Sequence, residues 1–171
     1  SVYAAYKLAD SVVSTRDYAK HHVSTRKIND HFGEGYHYEV TYTGNNLPVL
    51  VQSFYVYPTK DYVLTDFTLE STSEMASNYM APVNVDRMSE VLNQGENNRA
   101  LFIPFDNDCW IRYQSHPLTF TELTSYEVTA IFNNDDREAM VIGSVEHDSW
   151  KTGITIGKGN IYNVCLLYTS P

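Results

Sequence analysis

The sequence has little of several features that mark specialised classes of protein. It contains two cysteines in 171 residues, so we expect no disulfide framework. No apolar run approaches the roughly 18 residues that a membrane-spanning helix needs. Basic residues are scarce, with 12 Lys and Arg against 21 Asp and Glu, and the net charge of -9 disfavours a surface that follows nucleic-acid phosphates. We therefore expect a globular chain with no membrane span and no nucleic-acid partner.

Helical periodicity is also scarce, and strand signals take its place. Only residues 85–93 carry the apolar spacing of a short helical turn. Tyrosine, which suits pleated and half-buried surfaces, occurs 14 times. Tyr36, Tyr38, Val40 and Tyr42 alternate with His37, Glu39 and Thr41, which indicates a strand with two different faces.

Longer patterns extend this interpretation to the whole chain. Residues 49–57 are almost continuously apolar, which predicts a central strand covered on both faces. Residues 125–132 and 139–147 predict a hairpin, because the Asn-Asn-Asp-Asp run at 133–136 is typical of a turn. The sequence thus predicts an all-β fold class, a large antiparallel β-sandwich formed by one domain over residues 1–164.

The last seven residues, 165–171, form a separate case. Their sequence, CLLYTSP, corresponds to the translation of a transposase adapter used to prepare sequencing libraries. The alternative is an ordinary C-terminal strand, because the run is apolar and aromatic. We expect the tail to be non-native and the natural chain to continue beyond Val164, which would leave Cys109 as the single native cysteine.

Two clusters of polar and aromatic residues could carry chemistry. The first, residues 104–113, contains Asp106, Asp108 and Trp110. Carboxylates accept hydrogen bonds from sugar hydroxyls and an indole stacks on a sugar ring. However, Asp also favours turns, and Trp110 could belong to the core.

The second cluster, residues 143–153, contains His147, Asp148 and Trp150. A His beside acids can act as a base or simply form hydrogen bonds at a strand end. The cluster has neither the spacing of metal ligands nor a nucleophile motif, so we expect no metal. Two facing carboxylates could hydrolyse a glycosidic bond, but the sequence does not bring the two clusters together.

Several segments, in order, resemble the N-terminal β-domain of glycoside hydrolase family 36, the α-galactosidase (melibiase) group. The resemblance covers residues 28–156, and its strongest parts are Ser-Tyr-Glu-Val at 125–128 and Glu-His-Asp-Ser-Trp-Lys at 146–151. The other matching segments are residues 30–35 (DHFGEG), 52–57 (QSFYVY), 77–82 (SNYMAP), 102–108 (FIPFDND), 124–132 (TSYEVTAIF) and 141–153 (VIGSVEHDSWKTG).

The resemblance implies a galactose-mutarotase-like supersandwich that precedes a catalytic (β/α)8 barrel. In that family the barrel holds both catalytic aspartates of a retaining mechanism, and no position here matches them. It thus implies a non-catalytic domain that packs on the barrel and rims a pocket for α-galactosides. The candidate rim or interdomain residues are Asp106, Asp108, Trp110, His147, Asp148 and Trp150.

The resemblance also implies no cofactor and a secreted or periplasmic parent enzyme. It is compatible with a homo-oligomer, because in some members this domain rims the pocket of a neighbouring subunit. An isolated domain of this kind should expose an apolar patch and be poorly soluble. Two other functions fit the residues: a free-standing carbohydrate-binding, lectin-like module, and a purely structural domain.

Overall fold

A computed structural model describes residues 2–85, 97–105, 112–118, 122–146 and 150–157, together with the backbone of residues 161–167. Within these ranges the chain forms fourteen β-strands and no α-helix, which confirms the predicted all-β class. The helical turn predicted for residues 85–93 lies outside the described residues, apart from Val85 at the end of a strand. No helix in the described ranges is long and apolar enough to span a membrane.

The chain divides into two compact units, Tyr3–Ser77 and Asn78–Pro171, the second of which includes residues 1–2. In the first unit, β1 and β2 form a hairpin. A single 3₁₀ turn, Thr15–Asp17, comes directly after β2. The next four strands form an antiparallel sheet in the order β3-β4-β5-β6. The strands are β1 (Val2–Leu8), β2 (Ser11–Ser14), β3 (Lys20–Asp30), β4 (Gly33–Thr43), β5 (Val49–Val56) and β6 (Val63–Glu70).

The buried Tyr6 and the half-buried Tyr18 join β1 to the loop before β5. The hydroxyl of Tyr6 lies 3.0 Å from that of Tyr18, which donates to the carbonyl of Pro48 at 2.8 Å. Tyr18 also packs against Tyr42 of β4. Burial raises the pKa of Tyr18, and the hydrogen bond with Tyr6 raises it further, so the phenol stays protonated and able to donate.

The two faces of β4 alternate as the sequence predicts, but the tyrosines are not on the better buried face at its start. His37 is 4 % exposed, whereas Tyr36 and Tyr38 are 36 % and 37 % exposed. The reason is cross-strand packing: the ring of Tyr55 stacks on His37, with centroids 4.6 Å apart and planes 10° apart. β5 is a central strand as predicted, with buried residues on both faces, including Gln52 and Ser53.

The second unit contains two antiparallel sheets, with strand orders β10-β13-β14-β7 and β12-β11-β8-β9. Ala100 and Ile131 of one sheet pack with Ile156 of the other in a buried cluster. The unit is therefore a sandwich. Its strands are β7 (Tyr79–Val85), β8 (Asn98–Phe102), β9 (Gln114–Pro117), β10 (Glu122–Tyr126), β11 (Val128–Asn133), β12 (Ala139–Gly143), β13 (Lys151–Gly157) and β14 (Ile161–Leu167).

The predicted hairpin exists in a shorter form. β11 pairs with β12 around the predicted turn, where the side chain of Asn133 accepts from the backbone N–H groups of Asp135 and Asp136. The first strand, however, does not run through residues 125–132. Ser125 and Tyr126 belong to β10 in the other sheet, because the chain changes sheets at Glu127.

The boundary predicted at Val164 falls inside β14. This strand pairs with β13 and β7 on both sides of Val164, with a register shift between Val164 and Leu166. An apolar run can pair as a strand whatever its origin. The assignment of residues 165–171 to an adapter therefore stays a prediction.

Candidate functional site

The chain makes a one-residue corner at Glu127, where β10 ends and β11 begins. Glu127 has a φ of 66°, in the left-handed region that residues other than glycine rarely adopt. Its N–H donates to the carbonyl of Thr152 at 2.9 Å, and its carbonyl accepts from the N–H of Ser144 at 3.0 Å. Both backbone groups of the strained residue are thus satisfied by residues of the second predicted cluster.

Buried hydroxyl groups hold the strands on either side of the corner. Ser125 is fully buried; its hydroxyl accepts from the N–H of Ile103 and donates to the carbonyl of Val128, both at 2.9 Å. Thr129, also fully buried, donates to the carbonyl of Leu101 at 2.6 Å. Such bonds fix the corner because an unpaired polar group in the interior is costly.

Four side chains meet at this point, and we call Phe105, Tyr126, Glu127 and Lys151 the Glu127 corner. The rings of Phe105 and Tyr126 meet edge to face, with centroids 5.0 Å apart. The Nζ of Lys151 lies 4.6 Å from the ring centre of Phe105 and 3.7 Å from Oε1 of Glu127. The ammonium group is therefore held between an aromatic face and a carboxylate.

The Glu127 corner brings together the described ends of both predicted clusters. Phe105 directly precedes Asp106, and Lys151 directly follows Trp150. Phe105 is 42 % exposed and the side chain of Lys151 is 24 % exposed, so an aromatic edge and part of a cation remain accessible beside the two clusters. Chemically, this arrangement can contact a neutral polyol or a partner surface through an aromatic ring and a hydrogen-bond donor.

Of the six candidate rim residues, only Trp150 lies in the described part of the chain. It is half-buried and directly precedes β13. The other five lie outside the described residues: Asp106, Asp108, Trp110, His147 and Asp148. Their role at a pocket rim or a domain interface stays a prediction.

The Asp-His-Phe-Gly-Glu-Gly segment at 30–35 forms a packed turn. Asp30 accepts from the Tyr57 hydroxyl at 2.8 Å and from the N–H of Phe32 at 2.8 Å. The bond from Tyr57 lowers the pKa of Asp30, whereas burial and the bond to Asp30 raise the pKa of Tyr57 to about 12. Gly35 lies beneath Tyr57, where a β-carbon would be 2.7 Å from the ring. This segment has a structural explanation.

A row of polar side chains, which we call the polar row, crosses the sheet of the first unit and consists of Arg26, His37, Tyr55 and Asp66. The Nε of Arg26 donates to Nδ1 of the buried His37 at 2.9 Å. Next along the sheet, Tyr55 stacks on His37 and donates to Asp66 at 3.0 Å. His37 has no hydrogen-bond partner at Nε2 among the described residues.

Sequence reasoning missed the residues that form the corner itself. Glu127 and Lys151 lie in the resembling segments, but the sequence does not single out either of them as a candidate site residue. A left-handed backbone at a glutamate leaves no mark in the sequence, since Asn, Asp or Gly would be the usual signal. The sequence gives one hint: two adjacent resembling segments each contain a charged residue beside an aromatic one, Glu127 beside Tyr126 and Lys151 beside Trp150.

Comparisons with known proteins add no assignment. No protein-family model matches the chain, and no curated protein matches its sequence. The function must therefore be argued from the resembling segments and from the geometry of the Glu127 corner.

Proposed function

We propose that this chain is the non-catalytic N-terminal β-sandwich domain of a glycoside hydrolase of the α-galactosidase (melibiase) group. The parent enzyme would remove terminal α-galactosides from oligosaccharides with a catalytic barrel that follows this domain. Hydrolysis would belong to carboxylates of that barrel. The role of this domain would be to pack on the barrel and to present loops at the rim of its pocket.

The convergence at the Glu127 corner carries this proposal. Segments 102–108, 124–132 and 141–153 resemble the family in order, and Phe105, Tyr126 and Lys151 from the three segments are in contact. Residues that are scattered along a chain but meet in space are candidates for one functional unit. The antiparallel all-β fold is the architecture that the resemblance implies.

The corner can support such a rim because its backbone is fixed while part of its side-chain surface is accessible. Ser125 and Thr129 are fully buried and bonded, whereas Phe105 is exposed. A rigid support with an accessible aromatic and cationic edge is suited to hold neighbouring loops in one geometry.

The direct test is to recover the source DNA beyond codon 164. We expect several hundred codons that encode alternating strands and helices, with aspartates at the ends of two strands. In the full-length enzyme, Lys151→Ala should raise the KM for an α-galactoside more than it lowers kcat, because the corner would support binding. A stop codon soon after codon 171, with residues 165–171 encoded in the genome, would refute the proposal.

The alternative is a free-standing carbohydrate-binding module, which the exposed Phe105 beside Lys151 favours. Under this alternative, galactose added to the 171-residue chain should change tryptophan fluorescence, and Phe105→Ala should weaken binding. Phe32→Ala is the matched control, because Phe32 is 43 % exposed but lies in the other unit. No response to galactose or to other neutral sugars would exclude this alternative.

A further inference from the structure

The sheet of the first unit has an outer strand on each side, β3 and β6. In the described part of the chain, β3 and β6 each pair with one neighbour only. All eight residues from Lys20 to Lys27 of β3 are exposed, so no described segment covers this edge. An uncovered edge strand presents N–H and C=O groups that can pair with a strand from another molecule.

The two edges carry opposite charge. β3 contains Lys20, Arg26 and Lys27, with one acid at its last position, whereas β6 contains the acids Asp66 and Glu70 and no base. The basic strand is exceptional in a chain of net charge -9. Two β3 strands placed side by side would oppose bases, and two β6 strands would oppose acids, which is unfavourable. The charges therefore disfavour symmetric pairing and favour β3 against β6.

We propose that β3 of one molecule pairs with β6 of a second copy and extends the antiparallel sheet. Because the three pairings from β3 to β6 are all antiparallel, β3 and β6 run in opposite directions within one sheet. A second copy that continues the sheet therefore adds its β6 antiparallel to β3, with the same face on the same side. This inference does not depend on the proposed glycosidase function.

One register satisfies the charges and the faces together. Arg26 and Asp66 lie on the same face, since Arg26 bonds His37 and Asp66 bonds Tyr55 in the polar row. If Arg26 faces Asp66 of the second copy, all eight residues of β6 lie opposite residues 22–29 of β3. The other matched pairs in this register are Ile28 with Leu64, Ser24 with Thr68, His22 with Glu70, and Val23 with Leu69.

The main competing cause of self-association is the apolar face of the same sheet. Tyr36, Tyr38 and Val63 are exposed there, and molecules could associate through them without edge pairing. The dependence of self-association on salt concentration distinguishes strand pairing at the edges from association through the apolar face. Screening weakens contacts between opposite charges, with a Debye length of about 8 Å at physiological salt, whereas it does not weaken apolar association.

The first experiment is sedimentation velocity of the 171-residue chain over a range of protein concentrations, at low and at high sodium chloride. A β3-to-β6 contact is head-to-tail and leaves one free edge at each end, so species larger than dimers should appear as concentration rises. They should dissociate at high salt. A monomer under all conditions, or association that salt strengthens, would overturn the proposal.

The second experiment tests the register by charge reversal. Arg26→Glu and Asp66→Arg should each raise the dissociation constant about tenfold, since each replaces an attraction with a repulsion. The double variant that carries both substitutions in one chain should associate as the unmodified chain does, because the new acid of β3 then faces the new base of β6 in every contact. Restoration also shows that the two substitutions do not prevent folding.

Lys27→Glu is the matched control, because it makes the same change in charge on the same strand but faces Thr65 in this register. Combining it with Asp66→Arg in one chain should restore nothing, because Arg26 then faces a second base in every contact, and equal restoration would overturn the register. If Arg26→Glu fails to fold because His37 loses its partner, His22→Glu combined with Glu70→Arg in one chain tests the same register. Failure of this second pair to recover association would refute the proposal.

Discussion

Replacing Gly35 with alanine should displace Tyr57 and destabilise the Tyr3–Ser77 unit. A β-carbon at this position would lie 2.6 Å from the carbonyl oxygen of Val56 and 2.7 Å from the ring of Tyr57. Both distances are shorter than any normal contact. The ring is held by its hydrogen bond to Asp30, and the carbonyl belongs to the central strand β5.

The expected magnitude follows from the nature of these contacts. Overpacking in an interior costs about 1–3 kcal/mol, and we expect the upper end because the closest atom belongs to the backbone. A loss of about 3 kcal/mol lowers the melting temperature of a unit of this size by about 12–24 °C. Gly44→Ala is the matched control in the same unit, because its closest contact is 3.2 Å to the flexible side chain of Leu47.

Thermal unfolding should be followed by the near-ultraviolet circular dichroism of tyrosine. Both tryptophans, Trp110 and Trp150, lie outside residues 3–77, so tryptophan fluorescence does not report on the unfolding of this unit. An alkaline titration of tyrosinate absorbance provides a second measurement: the group that titrates at about 12, Tyr57, should titrate closer to the ordinary value near 10 in Gly35→Ala. Equal melting temperatures for Gly35→Ala and Gly44→Ala would refute this reasoning.

Three further predictions concern the buried polar groups and the corner. Thr129→Val should destabilise the second unit by about 1–3 kcal/mol, because it leaves the carbonyl of Leu101 without its donor. Thr152→Val should be neutral or stabilising, since the Thr152 hydroxyl has no hydrogen-bond partner among the described residues. Chemical denaturation of the two variants compares their free energies of unfolding directly. The stability of the first unit should fall above pH 10, because the pKa of Tyr57 is about 12 when folded but near 10 when unfolded. It should also fall below about pH 4, where Asp30, whose pKa is lowered by folding, takes up a proton. Tyr57→Phe should reduce the dependence of the free energy of unfolding on pH in both ranges. Glu127→Val should be less stable than Glu127→Gly by at least about 1 kcal/mol, because a β-branched residue tolerates a φ of 66° poorly; equal stability would show that the backbone there is relaxed.

The sequence predicts the parts of the fold that depend on local chemistry. The turn at Asn133 and the β11–β12 hairpin follow from turn residues between alternating strands. It does not predict the change of sheet at Glu127, because the residues on both sides of the corner continue the same apolar alternation. The backbone changes direction there through hydrogen bonds to Thr152 and Ser144, which are distant in sequence.

The burial of His37 escapes prediction for a similar reason. A histidine between tyrosines on a half-buried strand would ordinarily be assigned to the solvent side. Its burial depends on Tyr55 stacking from the next strand and on Arg26 bonding from the previous one. Neither partner can be read from the alternation of β4 alone, since both depend on the register of three strands.

These structural explanations also show which resembling residues bear on function. Gly35 is required by the ring above it, Asp30 by the hydroxyl of Tyr57, and Ser125 by two buried backbone groups. Each of these residues thus has a structural role, so they support the architecture and not an activity. Phe105 and Lys151 differ, because an exposed aromatic ring beneath an ammonium group stabilises a fold only slightly. The proposed glycosidase function therefore depends on the Glu127 corner more than on the segment at 30–35, and substitutions at Phe105 and Lys151 are the ones that can separate function from stability.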